Sequence, residues 1–356
     1  MFADQALVAA AGSFGWSGVD LFFVLSGYLI ASQLFAGHAT TGNIGLGRFY
    51  GRRFLRTLPA YLAVLALYFS VPAFTDRSAL PPLWKFVTFT QNLSMVLWSQ
   101  AAFSHAWSLC VEEHFYLLLP LSCLLLLRPR WRRAGPWVLG ALFIAGPTLR
   151  AALWLRHVGS LGPGAERTRE WYRLIYYPTW TRLDGLVAGV AIAAFVRHCP
   201  TAAARIGRHP GKIVLLGLAL LGAAAVCSVD QQGFLASVIG FPAWSLGYGA
   251  LVLSALGPRA LLGRFDSRAA RFLAAVSYPL YLTHKSIVHL TLGALDGRLD
   301  PDGLPAFAAC CLTAIAGAAA LHLAVERPAL RVRERWLSGR APPRLAGASL
   351  DENIHG

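Results

Sequence analysis

Nine stretches of this 356-residue sequence are apolar over the length that a helix needs to cross a hydrocarbon core, about 20 residues. They run approximately over 17–36, 57–74, 109–127, 135–155, 180–197, 212–229, 234–256, 271–293 and 305–325. In lipid every backbone N–H and C=O must find its partner within the protein, which favours helices for segments of this kind. The expected fold is therefore all-α, a polytopic membrane helix bundle with about nine transmembrane helices. Composition agrees: 56% of residues are hydrophobic and 14% charged, and the mean hydropathy of +0.52 is outside the range of soluble domains of this size.

A net charge of +15 would suit a nucleic-acid binder, but the placement of the charge does not. If the first span runs outside to inside, segments 37–56, 128–134, 197–212, 257–271 and the tail after 325 face the cytoplasm and hold 22 Lys or Arg. The opposite segments hold 7. This is the positive-inside bias, and it implies contact with anionic headgroups rather than nucleic acid. It places the carboxyl terminus in the cytoplasm and, with nine spans, the amino terminus outside. Residues 1–15 contain no basic n-region and only a brief apolar run, Ala6 to Ala11, so they make neither a signal peptide nor a span. The six cysteines have no spacing that suggests zinc or a disulfide framework, and no metal is expected.

Polar residues inside the spans carry the functional information. A carboxylate in hydrocarbon costs at least about 2.5 kcal/mol on insertion scales, so an intramembrane acid marks a site unless it is solvated at a span end. Asp20, Glu112, Glu113 and Asp184 lie near the outer ends of their spans, His105 lies just outside one, and His284, followed by Lys285, sits mid-span. Coming from four helices, these groups can converge on one outward-facing cavity. For Asp20 and Asp184 the reading as headgroup-level acids is equally open. On the inner side stands Arg48-Phe-Tyr-Gly-Arg52-Arg53-Phe-Leu-Arg56. The positive-inside rule explains cations there without requiring arginine at all four positions. Guanidinium forks suit phosphates, and Arg53 and Arg56 share one helical face, so a phosphate-bearing ligand is the expected occupant.

Six segments, taken together, resemble one family: Gly18-Val-Asp20-Leu-Phe-Phe-Val-Leu-Ser26-Gly27, Arg53-Phe-Leu-Arg56 with Pro59 and Tyr61, His105-Ala-Trp107-Ser108-Leu-Cys-Val-Glu112-Glu113-His-Phe-Tyr116, Arg182-Leu-Asp184-Gly185, Ser277-Tyr278-Pro-Leu-Tyr281-Leu-Thr-His284 and Glu326-Arg327-Pro328. Their order and approximate spacing over residues 15 to 330 are similar to the acyltransferase-3 family of integral membrane acyltransferases. The resemblance implies a ten-helix bacterial inner-membrane enzyme. Such an enzyme moves an acyl group, often acetyl, from cytoplasmic acyl-CoA to a hydroxyl of a carbohydrate, a lipid-linked or glycolipid acceptor, or a secondary metabolite. It implies that Arg53 and Arg56, with Arg52 beside them, meet the CoA donor. The domain reading is a membrane acyltransferase domain over 1–330 and a basic, then polar, cytoplasmic tail over 331–356 without fixed structure. Ser26 reads as small-residue helix packing.

The family's first helix carries an Arg and, some eleven residues on, a His regarded as the catalytic base. Residues 1–16 contain neither. The expectation is an upstream helix missing from the gene model; adding it gives ten helices with both ends inside. Acyl transfer to an alcohol needs a base near the hydroxyl and donors for the developing oxyanion. Of the imidazoles at hand, His105, His114 and His284, the last is the leading candidate, with Glu112, Glu113, Asp20 or Asp184 orienting it or binding acceptor hydroxyls. No Gly-Xaa-Ser-Xaa-Gly elbow suggests a serine acyl-enzyme. The alternatives are a proton-coupled transporter of a small solute, for which no internal repeat is found, and an inactive truncated paralogue. The aromatic cluster Trp171, Tyr172, Tyr176, Tyr177 and Trp180 suits an interfacial belt or stacking on sugars.

Overall fold

A computed structural model describes residues 12, 14–75, 79–93, 95, 102–257, 260 and 267–338. The Ala6–Ala11 run and the tail from 339 to 356 lie outside the described residues. Among the described residues, nine helices of 15 residues or more overlap the nine apolar stretches: α1 Gly18–Thr41, α2 Leu46–Ser70, α3 Trp107–Leu126, α4 Gly135–Leu153, α5 Asp184–His198, α6 Pro210–Cys227, α7 Phe241–Ala255, α8 Arg268–Leu295 and α9 Leu304–Leu321. A tenth helix, α10 Arg327–Ser338, continues α9 through a wider turn at His322–Glu326. Residues 331–338, expected to begin an unstructured tail, are thus helical. Among the described residues, six helices are long and apolar enough to cross a membrane, and a seventh if Asp184–His198 and Pro200–Ile206, bent by 109°, count as one. The long helices α2 and α8 fall short because Arg52, Arg53 and Arg56 lie along the first and Arg268, Arg271 and Lys285 along the second.

Apolar surface is turned outward as lipid permits: Leu215 and Val226 on α6 are 68% and 74% exposed. Burial concentrates where α1, α3, α5 and α7 meet. There the lipid tails offer no hydrophobic drive for helices to associate, so close backbone approach must supply the contact. Gly185 and Gly189, one turn apart on α5, and Gly27 on α1 provide it. An added Cβ at Gly189 would overlap the Val24 carbonyl, and one at Gly27 the Leu186 carbonyl. Gly189→Ala is expected to destabilise the bundle by about 1–3 kcal/mol, the usual penalty of overpacking. Thermal unfolding in detergent would reveal it, and an unchanged melting temperature would rule out so close a crossing.

Segments 72–75, 79–93 and 102–106 pack beside the start of α3. Phe74, Phe86, Ala102, Phe103, His105 and Ala106 are all buried, and Tyr61, Tyr68 and Phe86 pack around Phe103 in stacked pairs. The aromatic cluster after α4 departs from expectation in a similar way. Trp171, Tyr176 and Tyr177 are buried against Trp107 and Phe241 and form core rather than a belt; only Trp180, 51% exposed, stands free of it. All six cysteines are free thiols.

Candidate active site

Helix α3 and the turn before it place His105, Ser108, Glu112 and Tyr116 at spacings of three and four residues, hence along one face. The line they draw is about 16 Å long at about 1.5 Å per residue.

At its first end the main chain fixes two imidazoles. His105 Nε2 lies 3.1 Å from the Leu282 carbonyl, so Nε2 carries the proton and the lone pair sits on Nδ1, which is buried without a hydrogen-bond partner. His284 is held in the opposite tautomer: its Nδ1 faces the carbonyls of Tyr281 at 2.9 Å and Leu280 at 3.2 Å, leaving the lone pair on Nε2. The two rings are 4.9 Å apart between centroids. Tyr281 joins them to the line, donating to the His105 carbonyl at 2.6 Å and meeting Ser108 Oγ at 2.5 Å, while Lys285 Nζ reaches Ser104 Oγ at 3.1 Å.

At the other end the two glutamates separate. Glu112, 2% exposed, accepts from Ser26 Oγ and Tyr116 OH and pairs with Arg53 Nη2 at 3.0 Å. The Arg53 guanidinium lies 3.7 Å above the Tyr116 ring, so α1, α2 and α3 are tied together by one carboxylate. Glu113 is only loosely engaged, with Thr57 Oγ1 at 3.4 Å and Arg53 Nε at 4.0 Å. Ser26 is therefore more than a packing residue. The meeting of Arg53 with the glutamates also corrects their expected separation across the membrane.

Asp20 and Asp184 do not join this line. Asp184 makes a bidentate pair with Arg150, 2.7 and 3.0 Å, and Asp20 pairs with Arg182 at 3.1 Å. All four side chains are buried, so the headgroup-level reading of the two acids fails. Arg150 is completed by the carbonyls of Thr181 and Ser237, each at 2.5 Å; Arg182 lies 3.9 Å over the Phe241 ring. The outcome is a charge-balanced quartet beside Trp107, and the four helices thought to share one cavity in fact build two polar centres. Arg52 and Arg56 are exposed. His114 turns away, its Nδ1 2.7 Å from Thr179 Oγ1.

The family model of the acyltransferase domain, acyltransferase-3, matches residues 3–323. The chain belongs to this family. Acyltransferase-3 relatives include a peptidoglycan O-acetyltransferase of Listeria monocytogenes, 27% identical over 82% of this chain and 48% of its own length. An O-acetyltransferase of Staphylococcus aureus is 28% identical over 77% of this chain and 46% of its own. The chain thus spans about half the length of the curated relatives it matches. No solved structure matches it.

Within this acyltransferase-3 chain, sequence reasoning passed over Arg150, Arg182, Ser26, Tyr116 and Tyr281. A signal was available for the first two. Of the 32 Lys and Arg, only Arg150, Arg182 and Lys285 fall outside the loop and tail segments, and cations inside spans are as expensive as acids.

Proposed function

We propose that this chain is a membrane-embedded O-acyltransferase of the bacterial inner membrane, with its carboxyl terminus in the cytoplasm. It takes an acyl group, acetyl in the first instance, from acyl-CoA and delivers it to a hydroxyl of a carbohydrate or lipid-linked acceptor across the bilayer. The observation that carries this reading is the polar line of α3, which joins an imidazole pair at one end to a glutamate–arginine centre at the other. The names of the acyltransferase-3 relatives favour a cell-wall sugar as acceptor.

In this scheme the acceptor hydroxyl gives its proton to His284 Nε2 while its oxygen attacks the thioester carbonyl; the C–S bond breaks and the imidazolium gives the proton on to the leaving thiolate, which departs as coenzyme A. The main-chain carbonyls at His284 Nδ1 hold the basic nitrogen in one orientation, as an orienting acceptor does in acid–base pairs of this kind. Glu113, the looser of the two glutamates, binds acceptor hydroxyls or orients an imidazole. Arg53 and Arg56 guide the donor, Arg53 from its place between the glutamates.

The test is transfer of label from acetyl-CoA to a sugar acceptor in membranes that contain the full chain. His284→Ala is expected to lower turnover by about 100-fold or more, the usual contribution of general acid–base catalysis, and His114→Ala by far less. Equal, small losses would put the working imidazole elsewhere. A solute flux that proceeds without acyl-CoA would replace the enzyme reading by a transporter.

A further inference from the structure

The short turn Gln91–Leu93 packs against α3 and carries two buried amides. The neighbours of Asn92 account for it: its Nδ2 donates to the Tyr177 carbonyl at 3.1 Å and to Thr179 Oγ1 at 3.0 Å, and the same hydroxyl meets His114 Nδ1. Gln91 has no such account. It is 1% exposed, yet among the described residues neither its Nε2 nor its Oε1 has a hydrogen-bond partner. The Cys110 thiol, which it adjoins, is a weak partner and already faces the Ala106 carbonyl at 3.6 Å. An amide buried with both ends unpaired is costly, and an apolar side chain of similar shape would avoid the cost.

The backbone leading to Gln91 is strained. Phe89, two residues earlier, has a φ of 55°, in the left-handed region that residues with side chains seldom adopt, and strain of this kind gathers at functional sites. Phe103, with a φ of 56°, is the only other such residue among the described residues, and it stands two before His105, whose Nδ1 is likewise unpartnered. Both phenylalanine rings stack on Tyr61, at 4.8 and 5.9 Å. Tyr61 lies one turn beyond Thr57, which meets Glu113 at 3.4 Å, so the strained turn flanks the Glu113 side of the site.

Along one edge a carboxamide presents an N–H donor and a C=O acceptor. Phosphates and carboxylates supply acceptors alone and leave Oε1 unmatched. The amides in the pantetheine arm of coenzyme A offer both, but on opposite edges of a trans unit. Two neighbouring hydroxyls of a sugar match the edge, one accepting from Nε2 and the other donating to Oε1. We propose that the Gln91 carboxamide is an acceptor-binding group, which takes a pair of neighbouring sugar hydroxyls beside Glu113. This rests on the reading of a carbohydrate acceptor and names a residue that fixes how the sugar is turned toward the acyl group.

The experiment is calorimetric titration of a soluble cell-wall fragment, the disaccharide of N-acetylglucosamine and N-acetylmuramic acid, into the full chain in nanodiscs, with thermal unfolding of the same samples. Gln91→Met is expected to weaken disaccharide binding about tenfold and to leave coenzyme A affinity unchanged. It is expected to unfold no earlier than the wild type, because the amide it removes is unpaired within the fold. Equal disaccharide affinity in the two proteins overturns the proposal, as does a wild type that does not bind the disaccharide. A lowered melting temperature in Gln91→Met also overturns it, by showing that the amide is paired within the fold. The two readings fail separately. Disaccharide bound through Gln91 without any acyl transfer sinks the enzyme reading alone; transfer with the acceptor KM unchanged in Gln91→Met sinks the role of Gln91 alone.

Discussion

Arg150→Met is expected to cost about 3–5 kcal/mol of folding stability, the usual consequence of removing one partner from a buried ion pair. Against a total of about 5–15 kcal/mol for an ordinary domain, that is enough to deplete folded protein from the membrane. Arg150 has no exposure and four polar contacts, two to the Asp184 carboxylate and one each to the Thr181 and Ser237 carbonyls. Methionine fills most of the volume but leaves the Asp184 carboxyl without its partner in a dry site, with Arg182 already engaged by Asp20. The double variant Arg150→Met with Asp184→Leu removes both charges and is expected to recover much of the loss. Yield of monodisperse protein and unfolding in detergent measure both. A single variant as stable as the parent would show that water reaches the quartet.

The second large effect concerns activity. Glu113→Gln is expected to reduce acyl transfer by about 100- to 10,000-fold, in the range of a lost acid–base or orienting group, while the bundle remains folded, because among the described residues it is held only loosely, by Thr57 at 3.4 Å and Arg53 at 4.0 Å. Glu112→Gln is expected to fail in a different assay. Glu112 neutralises Arg53 at 3.0 Å and gathers Ser26 and Tyr116, and an amide there leaves the guanidinium short of charge, so stability falls first and activity follows. Transfer assays and melting curves on both variants separate the two. Retained turnover in Glu113→Gln would make that glutamate structural, and equal stability of the two variants would dissolve the distinction between them.

These two glutamates mark where sequence stops being legible. The nine long helices and the small-residue packing of α1 could be read directly, because both follow from local rules of length, apolarity and spacing. The importance of Glu112 and Glu113 could be read from cost alone. Their different roles could not, because these depend on which face of α3 meets Arg53, 59 positions before Glu112 in the chain. Asp20 and Asp184 looked like headgroup-level acids for the same reason: Arg182 is 162 residues from Asp20 and Arg150 is 34 from Asp184, beyond any local pattern. The meeting of Glu112 with Arg53 escapes a count of loop charges for the same reason, since the partner lies on another helix. The aromatics at 171–177 suit a belt or sugar stacking on sequence alone, because clustering of such residues does not distinguish either from a buried corner.

The pairing of Asp20 with Arg182 sets an order for biogenesis. At about 5–20 residues per second, the 162 residues that separate them take roughly 8–30 s to synthesise. Through that interval α1 carries a carboxyl group with no partner cation. The helix must therefore wait beside the insertion machinery, or keep its acid protonated, until α5 emerges.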